Sequence, residues 1–225
     1  MRVNKLLIQT PLFFFFGVLA TFSLEPYKIY PLIFCFSFAI YGICKVSNLK
    51  EVLYLSFSFA FGWFFAGLYW ISNAFLVKSG FYIFLMPLAA ALLPLFLSLT
   101  WCMAFLFAKL ISPKIGEIHI NIIILLSIFE YLRGKLLNFP WLMPGSFFAS
   151  NDVLIQGFSF IGSYSMNLVF LIIIILPILI IKYKKLSTLP IFLLLTPIVF
   201  LFVKSYDRYS TKPILSYNRN HLINV

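Results

Sequence analysis

One pair of opposite charges lies inside an otherwise apolar part of this sequence. Glu130 and Arg133 are three residues apart, so they share one face of a helix and can pair. An ionised side chain within a membrane span is costly and is rarely kept without a use. The pair therefore has two open interpretations: it ties its helix to neighbouring helices, or it belongs to a functional site.

Three cysteines are the candidate nucleophiles. Cys35, Cys44 and Cys102 lie in or beside apolar runs, and none has an ionisable neighbour in sequence that would favour a thiolate. There is no CxxC pair, and His119 and His221 offer no partner at metal-ligand spacing. We predict no catalytic residue in this chain, no metal site, no cofactor and no disulfide framework.

A segment that is aromatic but not helical follows the charged pair. Two prolines and a glycine within residues 138–146 prevent a helix from continuing, although Phe139, Pro140 and Trp141 are apolar or aromatic. Such a segment either dips into the membrane sheltered by protein, or lies along the membrane surface. The alternative is an ordinary loop rich in aromatic residues.

Two flanking stretches carry small residues at helical spacing. Gly62 and Ala66 are four apart, which lets another helix approach closely, and Trp70 follows where an aromatic ring would lie at the membrane interface. Small and hydroxyl residues also precede Asn167, as in the start of a tightly packed helix. Packing with an aromatic belt is sufficient to explain the first stretch.

The composition identifies the class of protein that must position these residues. Hydrophobic residues make up 63% of the 225 residues and charged residues 10%, with a mean hydropathy of +1.04. A soluble domain carries about 25% charged residues. Apolar runs long enough to cross a bilayer recur along the chain, which predicts an all-α, polytopic transmembrane bundle. The net charge is +11, and the basic residues lie mostly in short gaps between these runs. Membrane topology and contact with anionic lipid headgroups explain this placement better than binding of nucleic acid does.

We predict about seven spans, with the non-helical segment between the fifth and the sixth. The first is read as an uncleaved helix. The predicted spans cover residues 6–24, 29–44, 52–71, 81–110, 118–137, 153–181 and 189–203. Residues 1–203 would form the bundle, and residues 204–225 a short polar tail.

The distribution of basic residues predicts the orientation. One set of alternate loops is rich in lysine and arginine, which favours the cytoplasm and places the N-terminus inside and the C-terminus outside. This set comprises Arg2, Lys5, Lys45, Lys50, Lys109, Lys114, Lys182, Lys184 and Lys185. The tail also carries four basic residues, against this rule.

Taken together, these motifs resemble the bacterial apolipoprotein N-acyltransferases. The resemblance covers roughly Val52 to Leu176 and agrees in order, spacing and helix count. It is carried by Gly62, Ala66, Gly67, Trp70 and Ser72, then by Glu130, Arg133 and Gly134, then by Phe139-Pro140-Trp141-Leu142, and finally by Gly162 and Asn167.

The resemblance implies a function and an architecture. Members of the family transfer an acyl chain from a phospholipid, through a thioester, to the α-amino group of the lipid-modified N-terminal cysteine of an apolipoprotein. A membrane bundle carries a periplasmic nitrilase-like domain, which holds the catalytic glutamate, lysine and cysteine, and one last span follows. No residue here matches those three, and the sequence ends at Val225, where that domain would begin.

We therefore expect the membrane half of such an enzyme, from a truncated or split gene, in the bacterial inner membrane and inactive alone. Expected partners are phospholipid, an apolipoprotein and a separately encoded nitrilase-like domain. Candidate lipid-facing or structural residues are Glu130, Arg133, Phe139, Pro140, Trp141, Trp70 and Asn167. A small transporter or channel, and a gene remnant without function, stay as alternatives. A transporter should show paired broken helices and charges in several spans.

Overall fold

A computed structural model describes residues 2–73, 84–112, 118–182 and 188–211. Within these ranges the chain is helical and contains no strand, which confirms the all-α prediction. The α-helices are α1 (Arg2–Thr21), α2 (Phe34–Lys45), α3 (Leu49–Leu68), α4 (Met86–Leu110), α5 (Ile118–Leu136), α6 (Phe158–Lys182) and α7 (Thr188–Thr211). Short 3-10 helices cover Tyr30–Ile33, Tyr69–Asn73, Pro144–Ser150 and Leu154–Gly157.

Three stretches of the described residues are long and apolar enough to cross a membrane. They are Leu49–Asn73, Met86–Leu110 and Leu154–Ile178, and two shorter apolar stretches are Leu6–Thr21 and Tyr30–Lys45. The protein is therefore a helical membrane protein, whereas the number of seven spans stays a prediction.

The first three predicted spans differ from α1, α2 and α3 by up to five residues at an end, and the sixth and seventh differ as follows. The sixth stretch begins with a 3-10 turn, and its α-helix is kinked at Gly162, where φ is 77° and ψ is 171°. Only glycine adopts these angles without strain. The last helix continues to Thr211, about two turns beyond Val203. Arg208 on this added part donates a 2.6 Å hydrogen bond to the hydroxyl of Ser159, which holds it against α6.

The tightest helix pair is α1 with α3. A side chain at Gly17 would collide with the carbonyl oxygen of Phe59, and one at Gly62 would collide with the carbonyl oxygen of Phe14. The two helices thus touch through their backbones at two glycines, one from each helix. This contact agrees with the close approach predicted from the small residues of α3.

The core is an aromatic cluster in which four helices meet. Phe36 of α2 lies at its centre, with ring-centroid distances of 4.8 Å to Phe59, 4.9 Å to Trp63, 5.6 Å to Trp101 and 5.5 Å to Phe170. Most of these rings meet edge to face, the geometry that the charge distribution of aromatic rings favours. The cluster fixes α3 and α4 next to the charged end of α5.

Candidate functional site

Glu130 and Arg133 form a fully buried ion pair on α5. Arg133 donates from Nη2 to Oε2 at 2.5 Å and from Nε to Oε1 at 3.1 Å, and neither side chain is exposed. Trp101 of α4 donates from its indole nitrogen to Oε1 at 2.5 Å. The carboxylate therefore accepts three hydrogen bonds, which compensates for the loss of its hydration.

The second arm of Arg133 holds the non-helical segment. Its Nη1 donates to the carbonyl oxygens of Phe139 at 2.8 Å and Trp141 at 2.9 Å. Trp63 of α3 donates from its indole nitrogen to the carbonyl oxygen of Leu142 at 3.1 Å. These carbonyl oxygens accept no hydrogen bond from a helix backbone. The three side-chain N–H groups therefore supply the hydrogen bonds that backbone away from water requires. We call Glu130, Arg133, Trp101 and Trp63 the polar clamp.

The segment bends sharply before the first clamped carbonyl, at Asn138, and at the last one, at Leu142. Asn138 has a φ of 49° and Leu142 a φ of 57°, which are left-handed conformations that reverse the chain. Further along, the backbone N–H of Gly145 donates to Oδ1 of Asn167 at 2.9 Å. Asn167 is buried on α6, so it fixes the far side of the segment. Residues 138–145 are thus held by α3, α5 and α6.

The rim of this segment is exposed and aromatic. Trp70 and Trp141 are 49% and 58% exposed, and their ring centroids are 6.1 Å apart at 67°. With Ile71 and Phe139 they line a cavity of about 360 Å³. Pro140 is also exposed. We call this surface the tryptophan rim.

The structure therefore divides the seven predicted residues into two groups. Buried residues hold the backbone, namely Glu130, Arg133 and Asn167, whereas Trp70, Phe139, Pro140 and Trp141 lie at or near the surface. Sequence analysis missed Trp63 and Trp101. A buried indole N–H in an apolar helix requires a hydrogen-bond acceptor. The presence of tryptophan in these apolar helices was therefore the sequence signal for such a bond.

The three cysteines are buried. Cys102 contacts the Ser56 hydroxyl at 3.6 Å and the Leu53 carbonyl oxygen at 3.5 Å. Both contacts belong to a packed interface between α3 and α4.

The arrangement defines a helical membrane domain in which a buried ion pair supports a non-helical, aromatic rim. Residues 16–176 match the family described as the apolipoprotein N-acyltransferase N-terminal domain. The chain belongs to this family.

Curated relatives agree with this assignment. The apolipoprotein N-acyltransferase of Rhodopseudomonas palustris is 33% identical over 159 residues, which cover 68% of this chain and 30% of the relative. That of Sinorhizobium fredii is 30% identical over 179 residues, covering 74% and 34%. That of Rickettsia typhi is 29% identical over 160 residues, covering 69% and 32%. The chain thus spans about a third of the length of these relatives.

Proposed function

We propose that this chain is the bacterial membrane domain that presents a phospholipid acyl donor for the N-acylation of apolipoproteins. Family membership supports the reaction class, and the polar clamp with the tryptophan rim supports the location. The rim lies where the backbone leaves α5, so an acyl chain could enter beside Trp70 and Trp141. The family match favours this function over a small transporter or channel.

The chemistry itself would belong to a nitrilase-like domain, as the family resemblance implies. In this proposal the clamp residues perform no bond making. Glu130 accepts from Arg133 and Trp101, and Arg133 donates to Glu130 and to two backbone carbonyls, so they position the rim instead of exchanging protons with substrate. A separately encoded nitrilase-like domain and an apolipoprotein would be the protein partners.

We also propose that all seven α-helices span the bacterial inner membrane, with the N-terminus in the cytoplasm. The support comes from the basic loops and from contacts between helix ends. Tyr30 donates to the carbonyl oxygen of Ser150 at 3.0 Å, and Trp70 contacts Trp141. These residues precede α2, follow α3 and follow α5, so those ends lie at one end of the bundle, called the outer end below.

Substitution of the rim tests the proposed function. Trp141→Ala should leave thermal stability near that of the parent protein, because the ring is more than half exposed, and should reduce the phospholipid retained after purification in detergent. Tyr54→Ala is the matched control, since Tyr54 is a 56% exposed aromatic residue of α3 outside the rim. Equal phospholipid retention by Trp141→Ala and Tyr54→Ala would contradict the proposal.

A further inference from the structure

A second and larger cavity opens between the outer ends of α1 and α3. Its volume is about 570 Å³, within the range of about 300–1,000 Å³ that ligand clefts occupy. The walls are mainly apolar, with seven aromatic residues among the fifteen that line the cleft, and include Phe14, Phe15 and Val18 of α1 with Phe65 and Ala66 of α3. We call it the α1–α3 cleft.

The cleft has a charged group at its rim. Glu25, which lines the cleft, contacts Lys28 through Oε1 and Nζ at 2.7 Å. The two side chains are 55% and 47% exposed, so both charges are accessible to a further partner. The hydrogen bond and the negative charge of the Glu25 carboxylate raise the pKa of Lys28 above its ordinary value.

We propose that the α1–α3 cleft holds a resident zwitterionic phospholipid, with its headgroup cation at Glu25 and one acyl chain lying between α1 and α3. The phosphate would face Lys28 and the ammonium would face Glu25, which makes two antiparallel pairs of opposite charge. The aromatic walls match the acyl chain. An anionic glycerol headgroup would find a partner for its phosphate but would bring no cation to Glu25.

A lipid at this position would complete the packing of α1 with α3. The two helices are in backbone contact at Gly17 and Gly62 and leave the cleft beside that contact. In a bilayer, such an apolar space is filled by the most available apolar ligand, an acyl chain. This role is structural, and the inference does not rest on acyl transfer.

Lipid retention by the purified full chain tests the inference. The protein is incubated in detergent with equal amounts of phosphatidylethanolamine and phosphatidylglycerol, and the bound lipids are measured by native mass spectrometry. We expect the parent protein to prefer phosphatidylethanolamine. Glu25→Gln should lower that preference about two- to fivefold, the value of one accessible charge pair. Glu51→Gln, which removes a carboxylate beside a cavity at the opposite end of the bundle, should leave it unchanged.

Filling the cleft provides a second measurement. Ala66→Phe should reduce retention of both lipids in protein that elutes as the parent does, and the lipid recovered from the parent should be intact and diacylated. Equal retention of both lipids by the parent, an unchanged preference in Glu25→Gln, or full retention in Ala66→Phe would overturn the inference. Trp141 does not line the cleft, and the Trp141→Ala test does not measure headgroup preference, so failure of this inference and failure of the proposed function are distinguishable.

Discussion

Arg133 is suited to its position by the geometry of its guanidinium group. One edge of the planar group faces the Glu130 carboxylate, and Nη1 faces two backbone carbonyls on another side. A lysine ammonium could not reproduce this fork of fixed directions. The side chain also lies 5.3 Å from the ring of buried Phe64, whose face favours a cation. A single residue thus joins an ion pair, an aromatic face and the non-helical segment.

We predict that Glu130→Gln destabilises the protein while preserving its shape. The substitution leaves the Arg133 charge buried without its carboxylate, and breaking a buried pair in this way costs roughly 3–5 kcal/mol. Thermal unfolding in detergent measures the loss. Asp207→Asn, which neutralises an exposed carboxylate on α7, is the control and should unfold like the parent. If Glu130→Gln also unfolds like the parent, the pair does not stabilise the fold.

At the residue scale, sequence reasoning succeeded where partners are close along the chain. Glu130 and Arg133 are three residues apart, so helix geometry alone predicted their pairing. The bond from Trp101 to Glu130 spans 29 residues and the bond from Trp63 to Leu142 spans 79, so both depend on how helices pack. Periodicity within one helix carries no information about that packing.

The close contact between α1 and α3 requires that Gly17 and Gly62 carry no side chain. We predict that Gly62→Ala weakens it, because the added methyl group would meet backbone atoms of Phe14 that cannot move alone. Overpacking of this kind costs about 1–3 kcal/mol. Thermal unfolding in detergent again provides the measurement.

Gly42→Ala is the matched control for this prediction. The nearest atoms to a methyl group at Gly42 would be ring atoms of Phe13, a side chain that can shift. Gly42→Ala should therefore cost less stability than Gly62→Ala. The reverse order of melting temperatures would show that the backbone contact is not what holds α1 against α3.

Helix limits were predictable only where a strong breaker or a change of composition marks them. The fifth span was expected to end at Leu137, and α5 ends at Leu136, before the two prolines. The end of α7 was missed because Lys204, Asp207 and Arg208 suggested a loop. Polar residues of this kind continue a helix when a neighbour holds it, and Ser159 of α6 provides that contact.

The alternate loops predict the orientation of the whole molecule. We predict that reporter fusions at Lys50, Lys114 and Lys185 indicate the cytoplasm, because these positions belong to the basic loops. Lys50 lies at the start of α3, whereas Lys114 and Lys185 fall outside the described residues. Fusions after Asn73 and Asn138 are the controls and should indicate the periplasm. A periplasmic signal at Lys114 would contradict the proposed topology.

We predict that this chain binds lipid without transferring acyl groups. Its three cysteines are buried in packed helices, which is unsuited to a thioester nucleophile. Purified protein given phospholipid and a diacylated lipopeptide is therefore expected to form neither a thioester nor an N-acylated product. Mass spectrometry of the protein and the peptide measures both. Turnover through an acylated Cys35, Cys44 or Cys102 would contradict this prediction.

The placement of the tryptophans gives the protein an internal set of optical probes. The sequence has four of them: Trp63 and Trp101 are fully enclosed, and Trp70 and Trp141 lie at the surface. Quenchers carried on lipid tails or dissolved in water can reach only the surface pair directly. The emission that survives quenching therefore comes from the enclosed pair, whose indole groups hold Glu130 and Leu142. Emission spectra recorded with and without quencher therefore distinguish structural changes at the tryptophan rim from structural changes in the polar clamp.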